Sequence, residues 1–379
     1  MRLAPTLAGL GTYPFVRLTE AKRRKAAEGV SLIDFGMGEP REETPAFIRR
    51  ALAEAVEAEP VCGYPLAEGL PELREAAAAW VNRRFGVALD PATQVVPTLG
   101  AKEAIFGLAQ VVDGAVAVPT PGYPVPDRGA HFAGREVVPM PLRADRGWLP
   151  DLDALPWERL GLLWLNSPGN PTAVAMPLDF LREAAARCRE HDVVLAGDEA
   201  YCELWFSGDA PASVLQVGEL RNVVAIHTLS KRSSMPGYRS GFMAGDPELI
   251  AALKRYRPNT GTAPQTFVQR ASVAAWGDEE HVVETRARYA RKRAIVLPAL
   301  LEAGLEPAGG DASFFLWMRV PGGDDEAYAM NLLDQGIVVA PGSWLGAGGE
   351  GHVRVALVPT VEQCERAAAL LTATRAAPR

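Results

Sequence analysis

Lys231 is the side chain in this sequence hardest to account for as packing. It follows an apolar run at residues 223–226, in the order Thr228-Leu229-Ser230-Lys231. A lysine there has no apolar surface for its stem to cover. Partly withdrawn from water, its pKa falls, and the neutral amine can form a Schiff base with an aldehyde. Arg239, eight residues later, offers a planar fork of donors suited to phosphate. Asp198 and Tyr201 follow a second apolar run at 193–196. A carboxylate at the tip of a buried strand must be paired, because an isolated buried charge is costly. A protonated pyridine nitrogen is one suitable partner, with Tyr201 reaching a hydroxyl on the same ring; a helix N-cap aspartate is the alternative.

Three more loops have the same character. Thr98-Leu99-Gly100-Ala101-Lys102-Glu103 follows a run at 94–96 and opens a helix. Small residues at a helix start let backbone N–H groups approach a phosphate, although a tight glycine turn explains the pattern as well. Pro119-Thr120-Pro121-Gly122-Tyr123-Pro124 follows a run at 115–118. Its prolines stiffen the loop and fix the direction of Tyr123, which could stack on a planar ring or simply pack. Asn166-Ser167-Pro168-Gly169-Asn170-Pro171-Thr172 follows a run at 162–165 and could present an amide to a ring hydroxyl; turn chemistry alone also accounts for it.

The elements that must hold these loops alternate short apolar runs with helical patterns, the mark of a mostly parallel sheet covered on both faces. In open sheets of this kind ligands sit beyond the carboxyl ends of the strands. Helices are expected over 102–112 and 178–191. After residue 275 the pattern changes to a long helix at 279–303, a strand at 314–320, a helix at 327–335 and strands at 337–340 and 352–357. The expectation is a large α/β domain over 41–275 and a smaller α+β domain over 276–379. An N-terminal segment, 1–40, has one strand at 31–35 and packs on the small domain or on a partner subunit.

The length of 379 residues accommodates two such units, and 48% hydrophobic residues supply their cores. A net charge of −7, dispersed along the chain, argues against nucleic acid; the run Lys22-Arg23-Arg24-Lys25 reads as a solvated helix face. The four cysteines form no CxxC pair and the five histidines no ligand pattern, so neither metal nor disulfide is expected. Without a long apolar run or a secretory leader, no membrane partner and a cytoplasmic location are expected.

Taken in order, Asn170-Pro171-Thr172, Asp198 with Tyr201, and Ser230-Lys231 with Arg239 resemble the residue set of fold-type I, class I/II aminotransferases, which use pyridoxal 5'-phosphate (PLP). The stretch from Thr228 to Gly241 is highly specific for that family, and the resemblance spans nearly the whole chain. It implies that Lys231 carries the cofactor and then shuttles the proton, that Asp198 keeps the pyridine nitrogen protonated, and that Tyr201 and Asn170 hold the ring oxygen. Tyr123 would stack on the ring. Gly100, Ala101, Lys102, Thr228, Ser230 and Arg239 would cradle the phosphate. Tyr64, in Gly63-Tyr64-Pro65, matches a tyrosine reaching across a homodimer to the neighbouring cofactor. Arg354 matches the arginine that grips the substrate α-carboxylate, and Gly38 the backbone position touching the same group. Ala173 departs from the family, which has glycine there, and is expected to tighten the loop.

Within the family, Pro65-Leu66-Ala67-Glu68-Gly69, Arg257-Pro258-Asn259-Thr260-Gly261 and Val339-Ala340-Pro341-Gly342-Ser343-Trp344 resemble N-succinyldiaminopimelate aminotransferases of the actinobacterial type. The resemblance implies amino transfer between glutamate and N-succinyl-LL-2,6-diaminopimelate, in lysine biosynthesis. Aspartate or other amino-acid aminotransferases and a PLP-dependent C–S lyase or decarboxylase share every cofactor residue. Arg354 favours keeping the carboxylate, hence transamination; a cofactor-binding sensor lacks room for a DNA-binding extension. Arg232 and Arg257 are candidates for the substrate's second carboxylate.

Overall fold

The computed structural model of the protein describes residues 1–2, 4–8 and 14–376. A short strand β1 (Ile33–Asp34) precedes the large sheet, whose strands are β2 (Val95–Thr98), β3 (Ala115–Thr120), β4 (Val137–Pro141), β5 (Leu160–Asn166), β6 (Val194–Asp198), β7 (Val223–Thr228) and β8 (Gly241–Gly245). Their order is β2-β8-β7-β6-β5-β3-β4. Strands β3 to β7 run parallel, while β8 is antiparallel to both of its neighbours. The central strands are buried throughout and carry apolar residues at consecutive positions, because helices cover both faces. Leu163, Leu165 and Leu195 point to the core beneath helices Pro71–Phe85, Leu178–Glu190 and Thr266–Gly277. Leu162, Trp164 and Ala196, one residue out of phase, face the core beneath helices Gly100–Leu108, Val125–Phe132 and Pro247–Tyr256.

The second unit holds an antiparallel sheet of β9 (Glu306–Pro307), β10 (Phe315–Arg319), β12 (Ala340–Pro341) and β13 (His352–Ala356), in the order β12-β13-β10-β9. Helix Glu280–Glu302 contributes Tyr289, Val296 and Leu300 to its core. The remaining strand, β11 (Ile337–Val338), pairs in parallel with β1, so the N-terminal segment joins the small unit. We propose a division near residues 40 and 275; the second boundary falls just past helix Thr266–Gly277, since Trp276 still packs in the large core while Tyr289 packs in the small one.

Four expectations need correction. The helix expected over 102–112 begins at Gly100 and ends at Leu108; the next residues bond three positions back, Gln110 to Gly107 and Val111 to Leu108, tightening the chain into a turn. The single strand expected over 337–340 is two, since Val339 carries the chain from the β1 pairing to the β13 pairing. The sheet also gains β4 and β8. Finally, Lys22 and Lys25 are not a bare solvated face: they pair with Asp34 and Asp334 and fasten helix Pro14–Ala27 to the small unit. Among the described residues no helix is long and apolar enough to cross a membrane.

Candidate active site

The last residues of β5, β6 and β7 are Asn166, Asp198 and Thr228. Beyond them lies a cavity of about 240 Å³ between the two units, lined by every sequence candidate except Gly100, Tyr64, Arg232 and Arg257. Met37, Glu39, Ile105, Pro124, Ala200, Pro236, Phe315 and Leu345 complete the wall.

Parallel registry sets the floor. Asn166 is level with Asp198 and donates from Nδ2 to the Asp198 carbonyl at 2.9 Å, while its Oδ1 accepts the Asn170 N–H at 2.7 Å. The Asp198 carboxylate accepts only the Ala200 N–H, at 3.3 Å. Burial raises its pKa to about 6, offset in part by that N–H and by Lys231. Tyr201 packs edge-on against Phe314 and Phe315, and its burial pushes the phenol well above its ordinary pKa.

Lys231 lies in a single helical turn, Leu229–Arg232, capped by the Thr228 hydroxyl, which accepts the Ser230 N–H. The Lys231 amine donates to the Gly38 carbonyl at 2.6 Å and stands over the Phe314 ring at 5.3 Å. Burial lowers its pKa to about 8, with Glu39 the strongest opposing influence.

At one end of the cavity Arg239 donates to the Leu99 carbonyl at 3.0 Å and the Pro236 carbonyl at 3.0 Å. Gly100 has φ +71°, and a Cβ there would stand 2.9 Å from the Arg239 guanidinium. Glycine is favoured there by the backbone conformation, and its lack of a Cβ lets the guanidinium approach. The helix start at Ala101 and Lys102, the Ser230 hydroxyl and this guanidinium line the same end, a set of donors that suits an anion.

Opposite, Arg354 projects from β13 and is 3% exposed. It donates to Asn170 Oδ1 at 2.8 Å and to the Gly36 carbonyl at 2.7 Å, with its guanidinium 4.6 Å from the Phe315 ring centre. Gly38 has no room for a side chain, since a Cβ would meet Phe315 at 2.8 Å. Tyr123 and Pro124 line the wall between these ends, on a loop joined to the small unit by the Gly122 N–H, which Leu345 accepts at 2.8 Å. Ala173, fully buried, sits at φ +58°, a conformation that glycine adopts without strain and alanine does not.

Tyr64 is fully exposed and turned to solvent beside Val61 and Leu66. The guesses of Arg232 and Arg257 for the substrate fail, because neither lines the cavity. Arg232 is spent on the Ala275 carbonyl and Glu279 and lies over Trp276, and Arg257 is held by Glu103 and Ala67. Missed altogether was a buried pair on the far face of the sheet. Glu199 Oε1 accepts the Val214 N–H at 2.7 Å, and its Oε2 faces His227 Nε2 at 3.3 Å. Burial lifts Glu199 to about 8 and drops His227 to about 3, so both are neutral near pH 7. Strand alternation was the available signal, since it turns Glu199 away from Asp198.

The cavity suits PLP on its own features: a cluster of donors at a helix start where Gly100 is favoured, a buried carboxylate with a single long hydrogen bond, and an amine of lowered basicity. The comparisons agree. The family model for aminotransferase class I and II matches residues 30–371. The chain is 38% identical over 377 residues to an LL-diaminopimelate aminotransferase of Nitratidesulfovibrio vulgaris, covering 97% of each. It superposes on the crystal structure of an aminotransferase from Neisseria meningitidis with TM-score 0.90 at 35% identity, over 98% of this chain and 100% of that one. A structure from Thermus thermophilus described as a probable N-succinyldiaminopimelate aminotransferase gives TM-score 0.87 at 32% identity, over 95% and 99%. With a cavity built for PLP and a match over most of its length, the chain belongs to the class I and II aminotransferases, a PLP-dependent family.

Proposed function

We propose that the protein transfers an amino group between glutamate/2-oxoglutarate and a diaminopimelate-type amino acid. The observation carrying this is the placing of Arg354 across one cavity from Lys231 and Asp198. The arginine fork holds the α-carboxylate bidentately, so the bond at the α-carbon that breaks is C–H rather than the one to the carboxylate. Lys231 would hold PLP through its amine, and its depressed pKa suits it to act as the base that takes the α-carbon proton near neutrality. Asp198 would pair with a protonated ring nitrogen, Tyr201 and Asn170 would hold the ring oxygen, and Tyr123 would stack on the ring. Gly100, Ala101, Lys102, Thr228, Ser230 and Arg239 hold the phosphate. When bound, PLP supplies the electron sink that stabilises charge at the α-carbon.

N-succinyl-LL-diaminopimelate is the substrate first read from the motifs, supported by the likeness to the Thermus structure. Free LL-diaminopimelate is a second reading, favoured by the Nitratidesulfovibrio relative and by Glu39 in the cavity wall. A carboxylate there attracts a free distal ammonium and repels a succinyl carboxylate. The protein works as a homodimer in which Tyr64 completes the neighbouring site, a reading supported by the exposure of Val61, Tyr64 and Leu66 together. The test mixes PLP-loaded enzyme with glutamate, LL-diaminopimelate and its N-succinyl derivative and follows loss of the lysine-linked visible absorbance. No spectral change with either diaminopimelate refutes the substrate reading, and release of sulfide, ammonia or carbon dioxide refutes transamination.

A further inference from the structure

Arg257 lies outside the cavity yet holds two segments that lead to it. Its Nη1 donates to the Ala67 carbonyl at 2.7 Å, and its Nε and Nη2 face the two carboxylate oxygens of Glu103 at 3.3 and 3.5 Å. Glu103 Oε2 in turn accepts the Leu99 N–H at 3.1 Å, while Arg239 holds the Leu99 carbonyl. Both backbone polar groups of Leu99, the residue leading into Gly100 and Ala101, are therefore fixed by charged side chains. Arg257 is 1% exposed, so the Glu103 carboxylate is what makes its burial tolerable.

The other segment is the one that carries Tyr64. Its far end is pinned where Gly69 abuts Pro97 and the Leu70 N–H meets Gln269 Oε1 at 2.7 Å. Toward Tyr64 the Arg257–Ala67 bond is the next tie to another element. Ahead of it, nothing lies within 4 Å of where a Gly63 Cβ would stand, and Tyr64 is fully exposed. One guanidinium thus sits between the turn at the anion-binding end and the root of the Tyr64 arm.

We infer that Arg257 and Glu103 are a positioning pair, which sets the Leu99–Ala101 turn for the cofactor phosphate and aims Tyr64 at the neighbouring subunit. The inference rests on reading that turn as the phosphate cradle and Tyr64 as a contributor across a dimer. Neither residue touches substrate; each acts through the backbone that it holds. Losing the pair loosens the home cradle and the arm together, whereas a purely structural bridge changes melting temperature alone.

The test uses full-length protein stripped of cofactor and titrated with PLP, read by the lysine-linked absorbance and by tryptophan fluorescence. The variants are Glu103→Gln and Arg257→Lys, each alone and combined with Tyr64→Phe. The expected result is a PLP dissociation constant raised about tenfold or more in either single variant, roughly the effect of losing one charged contact. The Tyr64→Phe penalty should shrink in the Glu103→Gln background, because the arm is already misdirected. Dissociation constants within twofold of wild type, or Tyr64→Phe penalties that multiply independently, overturn the inference. Wild-type binding of PLP checks the cradle reading separately: a wild-type protein indifferent to PLP sinks that reading itself.

Discussion

Replacing Arg354 by lysine should separate substrate binding from cofactor binding. Two N–H groups of Arg354 are engaged, by Asn170 Oδ1 and the Gly36 carbonyl, and the fork is positioned so that an α-carboxylate can take paired donors. A hydrogen bond to a charged group contributes about 1.5–3 kcal/mol. Lysine presents one compact ammonium in place of a planar fork and keeps at most one of two such bonds. The expected loss in kcat/KM for an amino-acid donor is therefore about 10- to 150-fold, at about 1.4 kcal/mol per factor of ten. Lysine also cannot reach both protein acceptors, and one left unpaired costs about 1–3 kcal/mol of stability, visible as a lowered thermal midpoint. The assay is steady-state kinetics with the amino acid, alongside PLP titration of the stripped enzyme and half-reactions with the matching amine that lacks the carboxylate. PLP affinity and the amine reaction should stay near wild type. Equal losses for amine and amino acid, or a loss under threefold, would show that the guanidinium does not grip the carboxylate.

Burial gives rise to two pH effects. With the Lys231 amine lowered to about 8, the rate at which stripped enzyme captures PLP should climb tenfold per pH unit below pH 8 and level off above it; a stopped-flow rate still climbing at pH 10 contradicts this. Glu199, lifted to about 8 when folded and near 4.5 when unfolded, contributes stability that is fully present below about pH 4.5 and is lost as pH rises through about 8. Glu199→Gln should accordingly flatten the decline in urea-melt stability between pH 5 and 8, and parallel curves for variant and wild type would refute the assignment.

The parallel strands were legible because both faces of each are buried, so apolar residues run on without a break through β5, β6 and β7. Ligands sit just past the carboxyl ends of such strands, which made Asp198, Lys231 and Asn170 readable one loop at a time. Strand β8 was not legible. Gly-Phe-Met-Ala-Gly has only three side chains, and its glycines are dictated by neighbours across the sheet, where a Cβ on Gly241 would strike the His227 carbonyl at 2.4 Å. Strand β4 carries two prolines, tolerated because it is the edge strand. Phe315 and Leu345 enter the cavity from the small unit, far along the chain from the loops they face, and no local pattern records that meeting. The errors over Arg232 and Arg257 have the same origin: their partners, Ala275 and Glu103, are chosen by the fold.

The pairing of Ile33 with Ile337 and Asp34 with Val338 has a consequence for how the molecule is made. Strand β1 is made long before its partner β11 exists. Gly36 and Gly38, just beyond that strand, supply the carbonyls that receive Arg354 and Lys231. The catalytic chamber is therefore finished only once the segment carrying Ile337 and Arg354 has been made and meets residues 33–38, while the large sheet can form earlier from contiguous chain. A nascent chain can be folded through most of its mass and still lack the wall against which its substrate is held.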